Sequence, residues 1–458
     1  MVNENSQLNA HWEGHHSSLH YNDIEDAGQA VRPLDFPKPE VHRAAIISSF
    51  ARNHTTSSGH SIVCDKLLVR IPDHQAYSFE SHVNRAYLIK KRLSKSTYGC
   101  IRLCVVLRRR CQEDVTEDGI EWESTDELVA LKASLWSRIR KQRGRHMEDP
   151  IKEVAALQHS GNYHPNVLGC LEVLQDDENL YTIMPYCKGG DLYSNIMAGQ
   201  VLKGLDKPIV GKIQRPDEDQ ARVWFRQLSQ GLFHLQKKGI CHRDLSLENI
   251  LLDEYGQLVI VDLGLALRVP YADASNQGGV SDVSEGSQRL LMKAQGQCGE
   301  LLYIAPELLE KEDAFDGFAV DLWSAGVILF VSLVGLAPFR WAHHSDVRYS
   351  QIANGRLREL LRDLGLPLSD EAADLLQNML WRDPRKRLTL AQVMNHPWVA
   401  QQSRNTMGLS VIPESNQKPP VSPSQRRSYV PNVDTASFQK ALIPAACQPS
   451  RAERLASF

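Results

Sequence analysis

Asp244 and Asn249 are the residues of this chain best suited in type and spacing to chemistry. They lie in Cys241-His242-Arg243-Asp244-Leu245-Ser246-Leu247-Glu248-Asn249, with the apolar run Ile250-Leu251-Leu252 directly after. A phosphoryl-transfer loop needs that spacing: a carboxylate to orient or receive the proton of an attacking hydroxyl, and an amide oxygen for a magnesium ion. Asp262 follows 18 residues after Asp244, in Asp262-Leu263-Gly264; taken alone, Asp-x-Gly is a common turn. Lys132 ends the strand-like run Val129-Ala130-Leu131-Lys132, and such a Lys faces either a cleft or a wet surface. Glu153, 21 residues on and one turn into the helix that Asp149-Pro150 starts, gives it a candidate partner. Glu148, the alternative, precedes that helix.

Together and in order, these segments resemble the eukaryotic protein kinase family, Ser/Thr type. The loop matches H-R-D-L-x-x-x-N, Val129 to Lys132 resembles V-A-I-K, and Asp262-Leu263-Gly264 resembles the metal-binding D-F-G. Ala305-Pro306-Glu307, Asp321-Leu322-Trp323-Ser324-Ala325-Gly326-Val327 and the hinge-like Met184-Pro185-Tyr186-Cys187 extend the match over residues 86 to 400. His396-Pro397-Trp398 and the helix Asp370 to Leu380 are similar to the calmodulin-dependent or AMP-activated branch.

The resemblance implies a two-lobed α+β fold, with a β-rich N-lobe (86–187) carrying one main helix and a mainly helical C-lobe (188–400). It implies transfer of the γ-phosphate of ATP, with Mg2+, to Ser/Thr hydroxyls of protein substrates; the alternative is a weakly active or inactive scaffold that binds nucleotide and protein partners. Asp244 is the implied base, Lys132 the phosphate anchor held by Glu153, and Asn249 and Asp262 the metal ligands. Arg243 implies a site for an activating phosphate. The implied nucleotide site comprises Leu93, Ser94, Ser96, Gly99, Ile101, Ala130, Lys132, Met184, Pro185, Cys187, Asp191, Leu251 and Asp262. Adenine is expected on the Pro185 carbonyl and Cys187 N–H, and ribose on Asp191. Glu307 is expected to pair with Arg387, and Asp321 to brace the catalytic loop.

The chain also departs from the family. Its glycine-rich loop reads Ser94-Lys95-Ser96-Thr97-Tyr98-Gly99-Cys100-Ile101, with only the third glycine kept, so weak nucleotide binding is expected. Ser246 stands where the family has a Lys that neutralises the γ-phosphate, and Glu300 where it commonly has Thr. No Ser or Thr lies between Gln288 and Glu307, so activation by the usual phosphorylation is expected to be absent; Ser281, Ser284 and Ser287 sit farther back.

Hydropathy periods supply the elements that must hold these residues. Strands are expected at 87–89, 101–107, 128–132, 167–174 and 180–184, with a loop over 108–127 and one helix from Ile151: about five strands and one helix before the hinge. Later come a helix at Asp217 to Lys238, a hairpin at Ile250 to Val261, an apolar helix from Phe318, and helices at 370–380 and 389–395. Residues 1–79 are rich in His, Ser, Asn and Pro and are expected to be a disordered extension, with Ser61 to Ile71 a strand or docking segment; 80–400 is the expected kinase domain and 401–458 a flexible tail. The histidines of 11–16 and 53–60 are expected to be solvated rather than metal-bound. A net charge of −3 over 458 residues argues against bulk nucleic-acid binding. No signal peptide is expected, and the longest apolar run, Ala325 to Phe339, is shorter than the roughly 20 residues of a membrane span. Nine irregularly spaced cysteines fit reduced thiols and a cytoplasmic, or nuclear, location. The regulatory partner is not legible.

Overall fold

The structure, a computed structural model, describes residues 30–47, 66–71, 85–109, 122–162, 164–201, 217–272, 280–282, 287–310 and 312–401. They fall in the compact unit Met1–Arg404. The His-rich stretches 11–16 and 53–60, Ser284 and all of the expected tail but Gln401 lie outside the described residues.

Strands dominate up to residue 191. Seven of them close a barrel in the order β1-β2-β3-β4-β5-β7-β6, where β1 is His42–Ile47, β2 Leu67–Arg70, β3 Arg85–Lys95, β4 Gly99–Arg109, β5 Trp122–Leu135, β6 Glu172–Gln175 and β7 Asn179–Pro185. Closure comes from β1 running parallel to β6, with His42 opposite Leu174. Val129 and Leu131 bury inside the barrel with Tyr87, Val106 and Ile183. The two-residue period of a strand then turns Ala130 and Lys132 to the other face. Two helices join this part: α1, Trp136–Gln142, and α2, Pro150–Ser160. Helix α2 starts and stops where its residues dictate. Asp149 Oδ1 accepts the Ile151 N–H at 2.9 Å, Pro150 takes the first turn, and Gly161 ends the helix at φ 85°.

This corrects the sequence expectation of five strands and one helix, and of a disordered extension over residues 1–79. Strand β1 and helix α1 are additional, while β2 falls within Ser61 to Ile71, expected to be a strand or docking segment. β1 and β2 are short and pair through backbone groups, which leave little side-chain signature. β4 and β5 stay paired out to Arg109 opposite Trp122, so the expected loop over 108–127 narrows to 110–121, outside the described residues. Of the expected strand 167–174, only Glu172 onward is strand; Val167 makes an isolated bridge to Ile260.

Helices dominate after residue 191. In order come β8 (Gly190–Asp191), α3 (Leu192–Val201), α4 (Glu218–Lys237), β9 (Ile240–Cys241), β10 (Ile250–Leu252), β11 (Leu258–Ile260), β12 (Leu267–Arg268), α5 (Pro306–Leu309) and α6 (Gly317–Val334), then helices at 347–353, 357–363, 370–379, 390–394 and 397–400. Helix α4 is capped by Asp217 and buries Ala221, Phe225, Leu228, Leu232 and Leu235 as one stripe. Helix α6 is capped by Asp316, ends at Gly335 in the left-handed region (φ 78°), and is buried along all 18 residues. It is long and apolar enough to cross a membrane by length and composition, yet it forms the core that the other helices surround. Each large aliphatic side chain buried there contributes about 1.5–3 kcal/mol.

Candidate active site

The loops after β9 and β11 hold chemistry-bearing residues in a backbone region that side chains other than glycine rarely adopt. Arg243 and Asp262 are the non-glycine residues with positive φ among those described, at 67° and 66°. Each left-handed residue costs on the order of 1 kcal/mol, so the surroundings must enforce it. Asp321, on buried α6, does so for the first: Oδ2 accepts the His242 N–H at 2.7 Å and Oδ1 the Arg243 N–H at 2.8 Å. Burial pushes the Asp321 carboxyl up to about 6, against the pull of His242 and the two loop N–H groups. His242 Nε2 meets the Val261 carbonyl at 2.9 Å, and its Nδ1 lies 3.3 Å from the Asp244 N–H; the tautomer protonated on Nε2 fits both.

Asn249 is oriented by Asp244. Its Nδ2 donates to the Asp244 carbonyl at 2.7 Å and to Asp244 Oδ2 at 2.9 Å, which leaves Oδ1 as the atom for a cation. The Asn249 carbonyl accepts the Val261 N–H at 3.0 Å, so the strand leading to Asp262 is tied to the same loop. Among the described residues no group of three His, Cys, Asp or Glu could hold a metal alone. Magnesium does not require one: one or two protein oxygens suffice when phosphates and water complete the octahedron, and the hard oxygens of Asn249 and Asp262 fit it.

Lys132 reaches Glu153, not Glu148. Its Nζ lies 2.6 and 2.7 Å from the two carboxylate oxygens, with Glu153 buried and Lys132 largely so. Burial opposes the ammonium charge, but Glu153 and Asp262 overcome it and hold Lys132 above the usual lysine range. Gly264 packs where a Cβ would come 3.0 Å from Asp262 Oδ1 and 4.0 Å from Glu153 Oε2, so the two acidic residues flank one glycine. Leu263 is buried in the core that α2 shares through Val154 and Leu157.

Other sequence-designated residues fall as follows. Ala130 pairs with Met184 across β5 and β7, and Pro185 ends β7 opposite Val129. Met184 and Cys187 are buried, and burial pushes the Cys187 thiol up to about 11. Leu251 pairs with Asp191 between β10 and β8, but both Asp191 oxygens are engaged by Ser194, at 2.7 and 2.9 Å, in a helix cap rather than offered openly to a ribose. Leu93 is exposed on β3, and Ser94 pairs with Ile101. Arg243 is buried; its guanidinium meets the carbonyls of Leu265 and Gly296 at 3.5 and 3.4 Å and lies 5.5 Å from the Phe315 ring centroid, with Nε making no hydrogen bond.

The degenerate glycine loop is a tight hairpin. Ser96 and Gly99 exchange backbone bonds at 3.1 and 3.2 Å, and Ser96 Oγ also accepts the Gly99 N–H at 3.1 Å. A Cβ on Gly99 would meet the Ala133 carbonyl oxygen at 1.9 Å, so close strand packing already demands a glycine there, apart from any phosphate. Buried Tyr98 staples the loop, its hydroxyl donating to the Glu148 carbonyl at 2.5 Å. Ser96→Gly removes the second, side-chain acceptor of the Gly99 N–H and gives position 96 the backbone freedom of glycine, so the hairpin can approach a phosphate more closely. It is expected to tighten ATP–Mg binding about 2- to 10-fold, the worth of one hydrogen bond; an unchanged or weaker dissociation constant by titration calorimetry would contradict this.

Ser246, Glu248 and Glu300 form one cluster. Burial lifts the Glu248 carboxyl above its usual range, while hydrogen bonds with Glu300 and Ser246 lower it. Glu300 therefore engages another carboxyl instead of a loop Lys. Sequence reasoning missed Gly299, where φ is 90° and a Cβ would stand 3.0 Å from Asp244 Oδ1. It also missed the buried bidentate pair of Arg289 with Asp316, at 2.9 and 2.8 Å, which ties the segment before Cys298 to α6. The glycine beside Cys298 was the available signal for the first; nothing local marks the second.

The protein kinase domain model matches residues 120–399. The chain is similar to CBL-interacting protein kinase 16 of Oryza sativa subsp. japonica, 31% identical over 274 residues that cover 59% of this chain and 51% of that protein. It is also similar to CBL-interacting serine/threonine-protein kinase 15 of Arabidopsis thaliana, 31% identical over 277 residues, 60% of this chain and 55% of the relative. CBL-interacting protein kinase 22 of Oryza sativa subsp. japonica is 33% identical over 273 residues, 59% and 53%. The chain spans about half the length of the curated relatives it matches.

Proposed function

The chain belongs to the protein kinase domain family, and from that premise we propose that it transfers the terminal phosphoryl group of ATP to Ser or Thr hydroxyls of protein substrates. The observation that carries the proposal is the joined set of Lys132 on Glu153 and Asp244 on Asn249, one strand from Asp262. The barrel part is read as the small lobe and the helical part as the large one, with the nucleotide between them. Asp244 accepts the proton of the attacking hydroxyl, whose oxygen bonds to the γ-phosphorus as the bond to the ADP oxygen breaks. Lys132, fixed by Glu153, orients the phosphates. Mg2+ held by Asn249 and Asp262 would offset charge on the phosphate oxygens. Positioning and charge carry most of such a rate. The relatives' names record an interaction with CBL; the proposal here concerns the transferase activity alone. Six described cysteines are free thiols, which supports the cytoplasmic location proposed with it.

One observation favours a second reading, a scaffold that binds nucleotide without transfer. Two residues past Asp244 stands the Ser246 hydroxyl and not a cation, and the cluster it forms with Glu248 and Glu300 offers an incoming phosphate no positive charge. Labelled γ-phosphate from ATP–Mg, offered with generic protein substrates, separates the two. Incorporation by the wild-type chain is expected; nucleotide binding without any incorporation sinks the transferase reading and leaves the scaffold.

A further inference from the structure

We propose that residues 31–40 are a positioning strap that holds the Glu153 helix and the activation segment, the chain from Asp262 to Glu307, in their working arrangement without a phosphate on that segment. The inference rests on the transferase reading above. It concerns residues outside the segment that the kinase domain model matches, 120–399.

The strap crosses two elements that must cooperate. At one end, Val31 lies parallel to Met292: its N–H donates to the Leu291 carbonyl at 3.0 Å, and its carbonyl accepts the Lys293 N–H at 2.9 Å. In the middle, the Leu34 N–H donates to the Arg268 carbonyl at 2.9 Å, and Arg268 Nη1 returns a bond to the Asp35 carbonyl at 3.2 Å. At the far end, the Gln158 side chain of α2 clasps Glu40, accepting its N–H and donating to its carbonyl, both at 2.8 Å. Phe36 sets its ring edge-on to His159, one residue further along α2, at 5.9 Å. The chain then enters β1, which closes the barrel against β6.

Six backbone groups of a ten-residue segment are thus spent on α2, on β12 just past Asp262-Leu263-Gly264, and on residues 291–293. Helix α2 is only 11 residues long, and Glu153 sits in its first turn while Gln158 and His159 sit in its last. Swinging α2 away from Lys132 would break the Gln158 clasp and pull the strap off the segment after Asp262. Holding the strap down therefore holds Lys132 on Glu153. The opposite face of the same segment is anchored by Arg289 on Asp316. With no Ser or Thr between Gln288 and Glu307, this hydrogen-bonded frame does the ordering that a phosphate on the segment would otherwise do.

The test uses the full chain. Gln158→Ala removes both bonds to Glu40, and Val31→Pro removes the N–H that Leu291 accepts. Each is expected to lower kcat about tenfold, with KM for the protein substrate within about twofold, because the loss is in the aligned population rather than in substrate contacts. The Lys293 amide and those of α2 should exchange hydrogen faster while those of α4 and α6 do not change. Gln158→Glu, which keeps the acceptor and loses the donor, should fall between, and serves if the proline variant does not fold. Phosphatase treatment of the wild-type chain should leave its rate unchanged. Unaltered kcat and exchange in the variants overturns the strap, as does loss of protection throughout α4 and α6, or loss of wild-type activity after phosphatase. If the wild-type chain transfers no phosphate, the transferase reading falls on its own, and exchange at Lys293 and α2 still decides the strap.

Discussion

Asp244→Asn is expected to slow phosphoryl transfer by about 10²- to 10⁴-fold, the usual worth of a positioned general base. The backbone around it does not depend on the carboxylate: Asp321 holds residues 242 and 243, and His242 holds the Asp244 N–H. The substitution therefore removes chemistry rather than fold. An amide cannot take the hydroxyl proton. Its oxygen can take the place of Asp244 Oδ2 and still accept the Asn249 Nδ2 bond of 2.9 Å, so Asn249 keeps its orientation and the loss is that of the proton acceptor. Gly299 leaves little room for the side chain to turn elsewhere. Nucleotide affinity, proposed to rest on residues other than Asp244, should stay within about threefold. Rates from labelled γ-phosphate, with nucleotide titration alongside, check both; a variant retaining a tenth or more of the wild-type rate would remove Asp244 from its role.

Glu307→Ala is expected to cost about 3–5 kcal/mol of unfolding free energy, the typical price of stranding one charge of a buried pair. The Arg387 guanidinium has 0% side-chain exposure and makes two bonds of 2.7 Å to Glu307. Its other donors go to the carbonyls of Ala319, Trp381 and Arg382, and its plane lies 4.9 Å from the Trp323 ring centroid. Without that carboxylate, three carbonyls and a ring surround a desolvated cation, with only the more distant Glu312 to offset its charge in part. The urea midpoint should fall with the slope unchanged. Replacing both residues, Glu307→Ala with Arg387→Met, should recover part of the loss, because no charge then stays buried. A shift under about 1 kcal/mol in the single variant would show the pair to be more solvated than its burial indicates.

The identities of the cleft residues were legible because each lies in a short local pattern. Asp244 and Asn249 share one loop, Asp262 follows a hairpin whose two strands are visible as apolar runs, and Asp149-Pro150 announces the helix that carries Glu153. The expected Glu307–Arg387 pair and the Asp321 brace are both present in the geometry, although their partners lie 80 and 78–79 residues apart. Motif order supplied those pairings; periodicity could not have.

What the sequence determined by itself was therefore the kinase family, the Glu153 helix, α4, the hairpin of β10 and β11, α6 and the helices at 370–379 and 390–394, and the list of chemically competent side chains, since these depend on spacing and hydropathy within a few turns of chain. Tertiary structure alone decided that Arg289 meets Asp316, that Gly99 answers to the Ala133 carbonyl, that Ser246 and Glu300 gather around Glu248, and that residues 31–47, expected to be disordered, brace α2 and close the barrel. The physical reason is common to all four. These contacts are made by backbone groups, or by side chains brought from tens to hundreds of residues away, and a backbone hydrogen bond leaves no mark on the type of residue that makes it.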